Sequence, residues 1–476
     1  MKKALIFFGL CCFLYTDLQT QIDLRNILFS GKVHDGRSGI AGVAVTDGVN
    51  ITHTDAKGQY RLLSNATAEF VYITLPSGYD VPLKDGIPYF YVPVTDKSKT
   101  KQTIDFELKK SVMDDDNHTM IVWADPQIYY EEELSLTSHA AKDVEALAVS
   151  SKTPVYGVVC GDIVGDHPEF YDPLKKILTD TRVPFFFVPG NHDMRLNVRS
   201  DELSNDIYRR YFGPDYYSFN RGKVHYVALN DVFYIGRTYW YIGYLPERQL
   251  AWLQQDLAIV PAGSTVVVIL HIPTNTRTTN PDEEMHKVLQ NRQHLHEMLR
   301  PYHTHIFSGH MHHNDNFVIS DCLYEHVHAA VCAEFWQTTQ CSDGTPQGYG
   351  VYEISGNNIT WYFKSVGFDR NFQFKTYPVG VNPEKPTAVT ANVWNYDPQW
   401  QVNWYENGVL KGEMTRYRGY DPYTTDYIVK NKANFRYNWI DAAPTEHLFF
   451  AEPSSPDVKI KVEVIDRFGN QYTEEL

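Results

Sequence analysis

Positive charge is in short supply in this chain. Its 43 Lys and Arg face 58 Asp and Glu, a formal net charge of −15 over 476 residues. A protein that binds a nucleic-acid duplex needs a basic patch to displace counterions from the phosphates, so this balance argues against a duplex partner. It leaves a phosphate ester open as substrate, because a bound metal supplies local positive charge. Cysteine is also scarce. Cys11 and Cys12 sit near the start, and Cys160, Cys322, Cys332 and Cys341 are scattered through the rest. Four scattered thiols make no disulfide framework; one bridge or free thiols fit equally well. An apolar run long enough to span a membrane is missing. Residues 4–15, behind Met1-Lys2-Lys3, fall short of the ~20 needed. They read as a secretory signal over residues 1–20, cut near Thr20-Gln21. The expectation is a secreted, periplasmic or cell-surface protein, with no transmembrane span after signal removal. There is no Gly-x-Ser-x-Gly elbow and no His-Glu-x-x-His, so serine-hydrolase and zincin chemistry have no support. No internal repeat or long low-complexity segment occurs.

What is present is ordinary globular composition, 43% hydrophobic and 21% charged, at a length that implies several domains. Tyr (33) and Phe (25) are abundant, which suits β-rich domains or a stacking surface. Residues 27–111 carry short β-type runs with Gly and Asp turns, including Thr54-Asp55-Ala56-Lys57-Gly58-Gln59-Tyr60. They predict a β-sandwich and resemble the carboxypeptidase-regulatory-like and transthyretin-like modules. A polar, acidic linker over 111–117 follows. Residues 118–368 alternate apolar runs (119–124, 155–160, 184–189, 224–230, 265–270, 305–308) with amphipathic candidates near 137–150, 169–180, 201–212, 246–257 and 288–300. That alternation predicts βαβ units. Residues 370–476 are rich in aromatics and short strand-like pieces, with a hairpin signal at Asn407-Gly408, and predict a third, β-rich domain.

The chemistry gathers where the central runs stop. The uncharged run Pro184-Phe185-Phe186-Phe187-Val188 reads as a strand buried on both faces, and it gives way to Pro189-Gly190-Asn191-His192-Asp193. Others end in Asp125-Pro126-Gln127, Gly161-Asp162, His271-Ile272-Pro273 and Gly309-His310-Met311-His312. Carboxylate, amide and imidazole together suit Zn, Mn or Fe rather than soft thiolate metals. Glycine before a ligand lets the backbone turn sharply.

This ordered set resembles the calcineurin-like metallophosphoesterases, whose pattern is Asp-x-His, Gly-Asp, Gly-Asn-His, a lone His and Gly-His-x-His. The resemblance covers about 250 residues, and the whole chain resembles secreted bacterial members with β domains on both sides. It implies a four-layer α/β/β/α core, two divalent or trivalent transition metals and a phosphate-ester substrate. By position, Asp125, Gln127 and His312 would hold one metal and Asn191, His271 and His310 the other, with Asp162 bridging. His192 would face the scissile phosphate, stabilising charge or protonating the leaving oxygen, with Asp166 as its orienter or, equally, as a helix-start carboxylate. The implied reaction is in-line attack of a metal-bridging hydroxide on a phosphomonoester or phosphodiester. Two departures stand out. Gln127 occupies a place that is usually His, and an amide oxygen is the weaker ligand. Gly165 stands where the purple acid phosphatase branch has its Tyr ligand. His328, Trp336 and Arg195 are candidate substrate contacts, with core or solvated-loop roles as the alternative. Gln127 also leaves room for a catalytically weakened fold acting as a cell-surface glycan- or ligand-binding protein. Oligomeric state is not encoded in any of these features.

Overall fold

The computed structural model describes residues 25–237, 240–277 and 284–476; the expected signal over 1–20 lies outside them. All six central apolar runs form strands, and they fall into two sheets. The first runs Phe185–Val188, Val155–Cys160, Asn117–Trp123, Gly348–Ser355, Asn358–Ser365. Its first three strands are parallel and its last two antiparallel. The second runs Tyr217–Arg221, Val224–Ala228, Thr265–Ile269, His303–Ser308, Leu323–Val327, Asp315–Ser320. Four central parallel strands lie there between antiparallel edges.

These strands are apolar on both faces because both faces are covered. Val122, Val158 and Phe186 of the first sheet meet Tyr226, Val267 and Phe307 of the second in one cluster. The Phe186 and Phe219 rings stack across the gap at 3.9 Å. Outside the first sheet, Val159, Phe185 and Phe187 pack under helices Glu133–Ser150, Tyr171–Asp180 and Asp206–Phe212 through Val144, Leu174 and Phe212. Outside the second, Val266, Val268 and Ile306 pack under Glu247–Leu257 and Arg292–Leu299 through Trp252, Leu253 and Leu295. The result is a four-layer α/β/β/α core. Every parallel strand runs the same way in its sheet, so their carboxyl ends share one rim, where open α/β sheets place ligands.

One local expectation changes. The helix sought near 201–212 is split into a turn of 3₁₀ helix, Asp201–Leu203, and the helix Asp206–Phe212. Past the strand Leu323–Val327 the chain leaves the sheet, and Ala333, Phe335 and Trp336 adopt left-handed backbone that no strand accommodates.

The N-terminal unit is two four-stranded sheets around Ile27, Phe29, Leu62, Val71 and Ile73. It joins the edge of the second core sheet, where the Asn220 amide donates to Leu75 O at 2.8 Å. The C-terminal unit is two further four-stranded sheets around Val389, Trp400, Val402, Phe449 and Val462. Its helix Pro422–Asn431 is capped by Asp421, which accepts from the Thr424 amide at 2.8 Å. Cys160, Cys322, Cys332 and Cys341 are all free thiols. Among the described residues no helix is long and apolar enough to cross a membrane.

Candidate metal centre

The rim brings Asp125, Gln127, Asp162, Asn191, His192, His271, His310 and His312 together from five strand ends. The turns there are tight. Asp125, Gln127, Asp162, His310 and His312 all have φ between 42° and 69°. Left-handed backbone at non-glycine residues costs energy, and it clusters where function demands a particular side-chain direction. Close packing explains two of the glycines. A Cβ on Gly161 would run into the His271 ring, and one on Gly309 would lie 2.6 Å from Asp125 Oδ2.

The imidazoles are oriented by the backbone behind them. His271 Nδ1 donates to Cys160 O (2.8 Å), His310 Nε2 to His286 O (2.9 Å) and His312 Nδ1 to Ala333 O (3.1 Å). Each ring therefore turns its other nitrogen, a lone pair, into the site. Those lone pairs meet acceptors. His271 Nε2 lies 3.1 Å from His310 Nδ1, 3.0 Å from Asn191 Oδ1 and 3.4 Å from Asp162 Oδ1. His312 Nε2 faces Asp125 Oδ1 at 3.9 Å. Burial pushes all three histidines below their ordinary pKa, His312 to about 4, so protons do not fill these gaps.

The carboxylates pose the same problem with opposite charge. Asp125 and Asp162 are both buried, and burial followed by the Asp162 charge raises the Asp125 pKa. Asp125 accepts twice from the His310 amide, at 2.9 and 3.1 Å. Gln127 is also buried. Its Nε2 donates to Asp162 Oδ2 at 3.3 Å, while its Oε1 has no hydrogen-bond partner. Buried lone pairs without donors, beside two buried carboxylates, fit cations and little else. Asp162, His271 and His310 hold their ligand atoms within 4.8 Å of one another. Gln127 meets the other carboxylate oxygen of Asp162, and His312 faces Asp125.

His192 stands beside this set. Its amide donates to Asp162 Oδ1 at 2.8 Å, and its Nδ1 lies 3.0 Å from Asp166 Oδ1 and 3.2 Å from the Tyr129 hydroxyl. Burial opposes protonation, but the Asp162, Asp166 and Asp193 charges outweigh it and raise the pKa to about 9. Cations at Asp162 would offset part of that rise and leave Asp166 as the proton's main support.

Three expected substrate contacts lie elsewhere. His328 is sealed between the sheets just past the strand Leu323–Val327, with Nδ1 on Ser308 O (3.0 Å) and Nε2 on the Tyr352 hydroxyl (2.9 Å). Trp336 is buried and donates to Pro126 O at 2.9 Å, so it braces the Asp125 turn. Arg195 is engaged with Asp206 on the helix Asp206–Phe212. Other residues matter that the motif reading did not assign. Asp193 accepts from Gly190 N (2.8 Å), Ile163 N (3.1 Å) and the Tyr171 hydroxyl (2.9 Å), tying two ligand loops. Asp231 accepts from the His271 and Ile272 amides, both at 3.1 Å. Tyr129 lies against Gly165, where any Cβ would overlap its ring. The bare Gly165 was the signal for it.

Comparison with known proteins places the chain in a family. The calcineurin-like phosphoesterase profile matches residues 121–314, the profile for the N terminus of calcineurin-like phosphoesterase 28–111, and that for the C terminus 325–472. A Danio rerio protein, serine/threonine-protein phosphatase CPPED1, is 30% identical over 249 residues, half of this chain and 76% of that one. A 3',5'-cyclic-nucleotide phosphodiesterase of Nostoc sp. is 28% identical over 148 residues, 30% of this chain and 50% of its own. A crystal structure of a Danio rerio dimetal phosphatase superposes with a TM-score of 0.39 at 15% identity, covering 52% of this chain and 96% of that one. The chain belongs to the calcineurin-like phosphoesterase family, whose members hydrolyse phosphate esters with divalent metals.

Proposed function

We propose that this protein hydrolyses a phosphomonoester or phosphodiester with two transition metals, Mn, Zn or Fe, on either side of Asp162. The observation that carries the reading is the set of imidazole and amide lone pairs turned on two buried carboxylates. Asn191, His271 and His310 would hold one ion, and Asp125, Gln127 and His312 the other. Bound there, the metals polarise phosphoryl oxygens and lower the pKa of a shared water. The chain's own contribution is orientation and proton supply. His192, steadied by Asp166, donates a proton to the leaving oxygen as the P–O bond opens in line with the incoming water oxygen. The orphaned Gln127 Oε1 supports a ligand role at that position and weighs against the binding-protein alternative.

The basic and apolar residues at 1–15 support export, and we place the enzyme outside the bacterial cytoplasm on that ground; a reporter fused after residue 25 and retained inside the cell would refute the placement. The catalytic reading is tested with metal-stripped protein given Mn, Zn or Fe and assayed on p-nitrophenyl phosphate and bis-p-nitrophenyl phosphate. Metal-dependent turnover is expected. His192→Ala should lower it by about 10²–10⁴-fold while metal content holds. Absence of turnover and of tight metal binding would remove the reading.

A further inference from the structure

An aromatic wall leads outward from the metal centre, and the C-terminal domain builds its far end. Phe335 stacks on the His312 ring at 4.8 Å and 29°. Trp439 meets Phe335 at 4.6 Å, and Tyr437 stacks on Trp439 at 5.2 Å and 26°. Tyr129, beside His192, meets both Phe335 (6.3 Å) and Tyr437 (6.2 Å). Trp439 nonetheless stays 55% exposed. An exposed indole contributes nothing to a core, and a bulky residue such as Phe335 at φ 54° is strained.

The wall is held in place before any ligand arrives. Glu133 accepts from the Tyr129 and Tyr130 amides at 2.8 and 3.1 Å. Arg436, next to Tyr437, pairs with Glu132 (2.6 Å) and Glu133 (3.2 Å) and lies 3.6 Å over the Tyr130 ring. Ala443 donates to Ser342 O at 2.9 Å, pinning the far side of the loop to the core. With its one cation, Arg436, paired to Glu132 and Glu133, the wall offers π-faces and no free positive charge to a ligand.

Resting on the phosphoesterase reading above, we infer that Trp439 and Tyr437 form a stacking subsite for the leaving group, and that the substrate class is a phosphate ester whose alcohol carries a flat ring a pentose's length from phosphorus, as a nucleoside does. Trp439 meets the site through Phe335, which itself stacks on His312, so a ring on Trp439 sits one aromatic layer out from that ligand, a placement suited to a ring set behind a sugar.

The test uses the full metal-loaded chain with 5'-AMP and ribose 5-phosphate, and the methyl diester of each. Both alcohols are the same primary 5' hydroxyl, so leaving-group reactivity cancels. The expected result is preference for the adenosine ester. Trp439→Ala should raise its KM about ten-fold, the size of one lost stacking contact, and leave kcat and the ribose ester unchanged. Trp439→Phe should recover most of the loss. Equal use of both esters by the wild type, or equal losses on both in Trp439→Ala, would overturn the subsite. Turnover of p-nitrophenyl phosphate with none of these four esters would overturn it while the phosphoesterase reading stands. No turnover of any ester with any metal would remove both.

Discussion

The two core sheets contribute unlike chemistry to the rim they share. The first ends its strands in oxygen donors, Asp125, Gln127, Asp162 and Asn191, with His192 beside them. The second ends its strands in imidazoles, His271, His310 and His312. The contrast continues inside. His305, His326 and His328 lie buried in the second sheet, linked in part by a 3.0 Å contact between His305 Nδ1 and His326 Nε2. Neither sheet has a complete ligand set. Metal bound at the rim would add a further tie between the two packed layers, so occupancy and the packing between sheets would be linked.

The strongest way to break this comparison is to remove the shared carboxylate. Asp162→Ala should take activity to the metal-stripped background and bring metal content, measured by elemental analysis, close to zero, because both half-sites lose a ligand. A variant that kept one equivalent would show the half-sites to be independent. Gln127→Ala touches one half-site only. It should weaken one of two metal equivalents about ten-fold or more and leave the other alone, while Gln127→His should tighten that equivalent. Isothermal titration resolves the two.

Acid should act chiefly on the second sheet. Burial holds His305 near a pKa of about 3 and His328 near about 4, and lowers His326 further below its ordinary value. Their folded pKa values lie beneath the unfolded value of about 6.5. The neutral rings therefore stabilise the fold fully above that pH, and the contribution drains away as pH falls toward about 4. The loss between pH 6.5 and 5 is on the order of 1–2 kcal/mol per histidine. Urea titrations at the two pH values, on wild type and His328→Gln, check this; a smaller pH effect in the variant is expected, and a flat wild-type profile would contradict it.

Much of this architecture was legible in local sequence. Apolar runs buried on both faces announced the strands, and the polar residues that stop them announced the cluster at the rim, because a buried parallel strand has nowhere to place such groups except its end. Asp166 was legible only as one of two roles, since its contact with His192 depends on how the 162–166 loop folds back. His328 and Trp336 lie past the end of the strand Leu323–Val327, where local sequence does not say which way the chain turns. Tyr437 and Trp439 had no local signal at all; they reach the site from a domain some 300 positions along the chain from Glu132, which Arg436 contacts.

The left-handed turns at Asp125, Asp162 and His310 have a consequence for how the protein tolerates change. Each holds a β-carbon in a conformation that costs ~1–2 kcal/mol and that glycine adopts freely. Asp162→Gly should therefore melt at a higher temperature than the equally inactive Asp162→Ala. At these positions fold stability and the rim's side chains are in opposition, and a glycine gains the one by giving up the other.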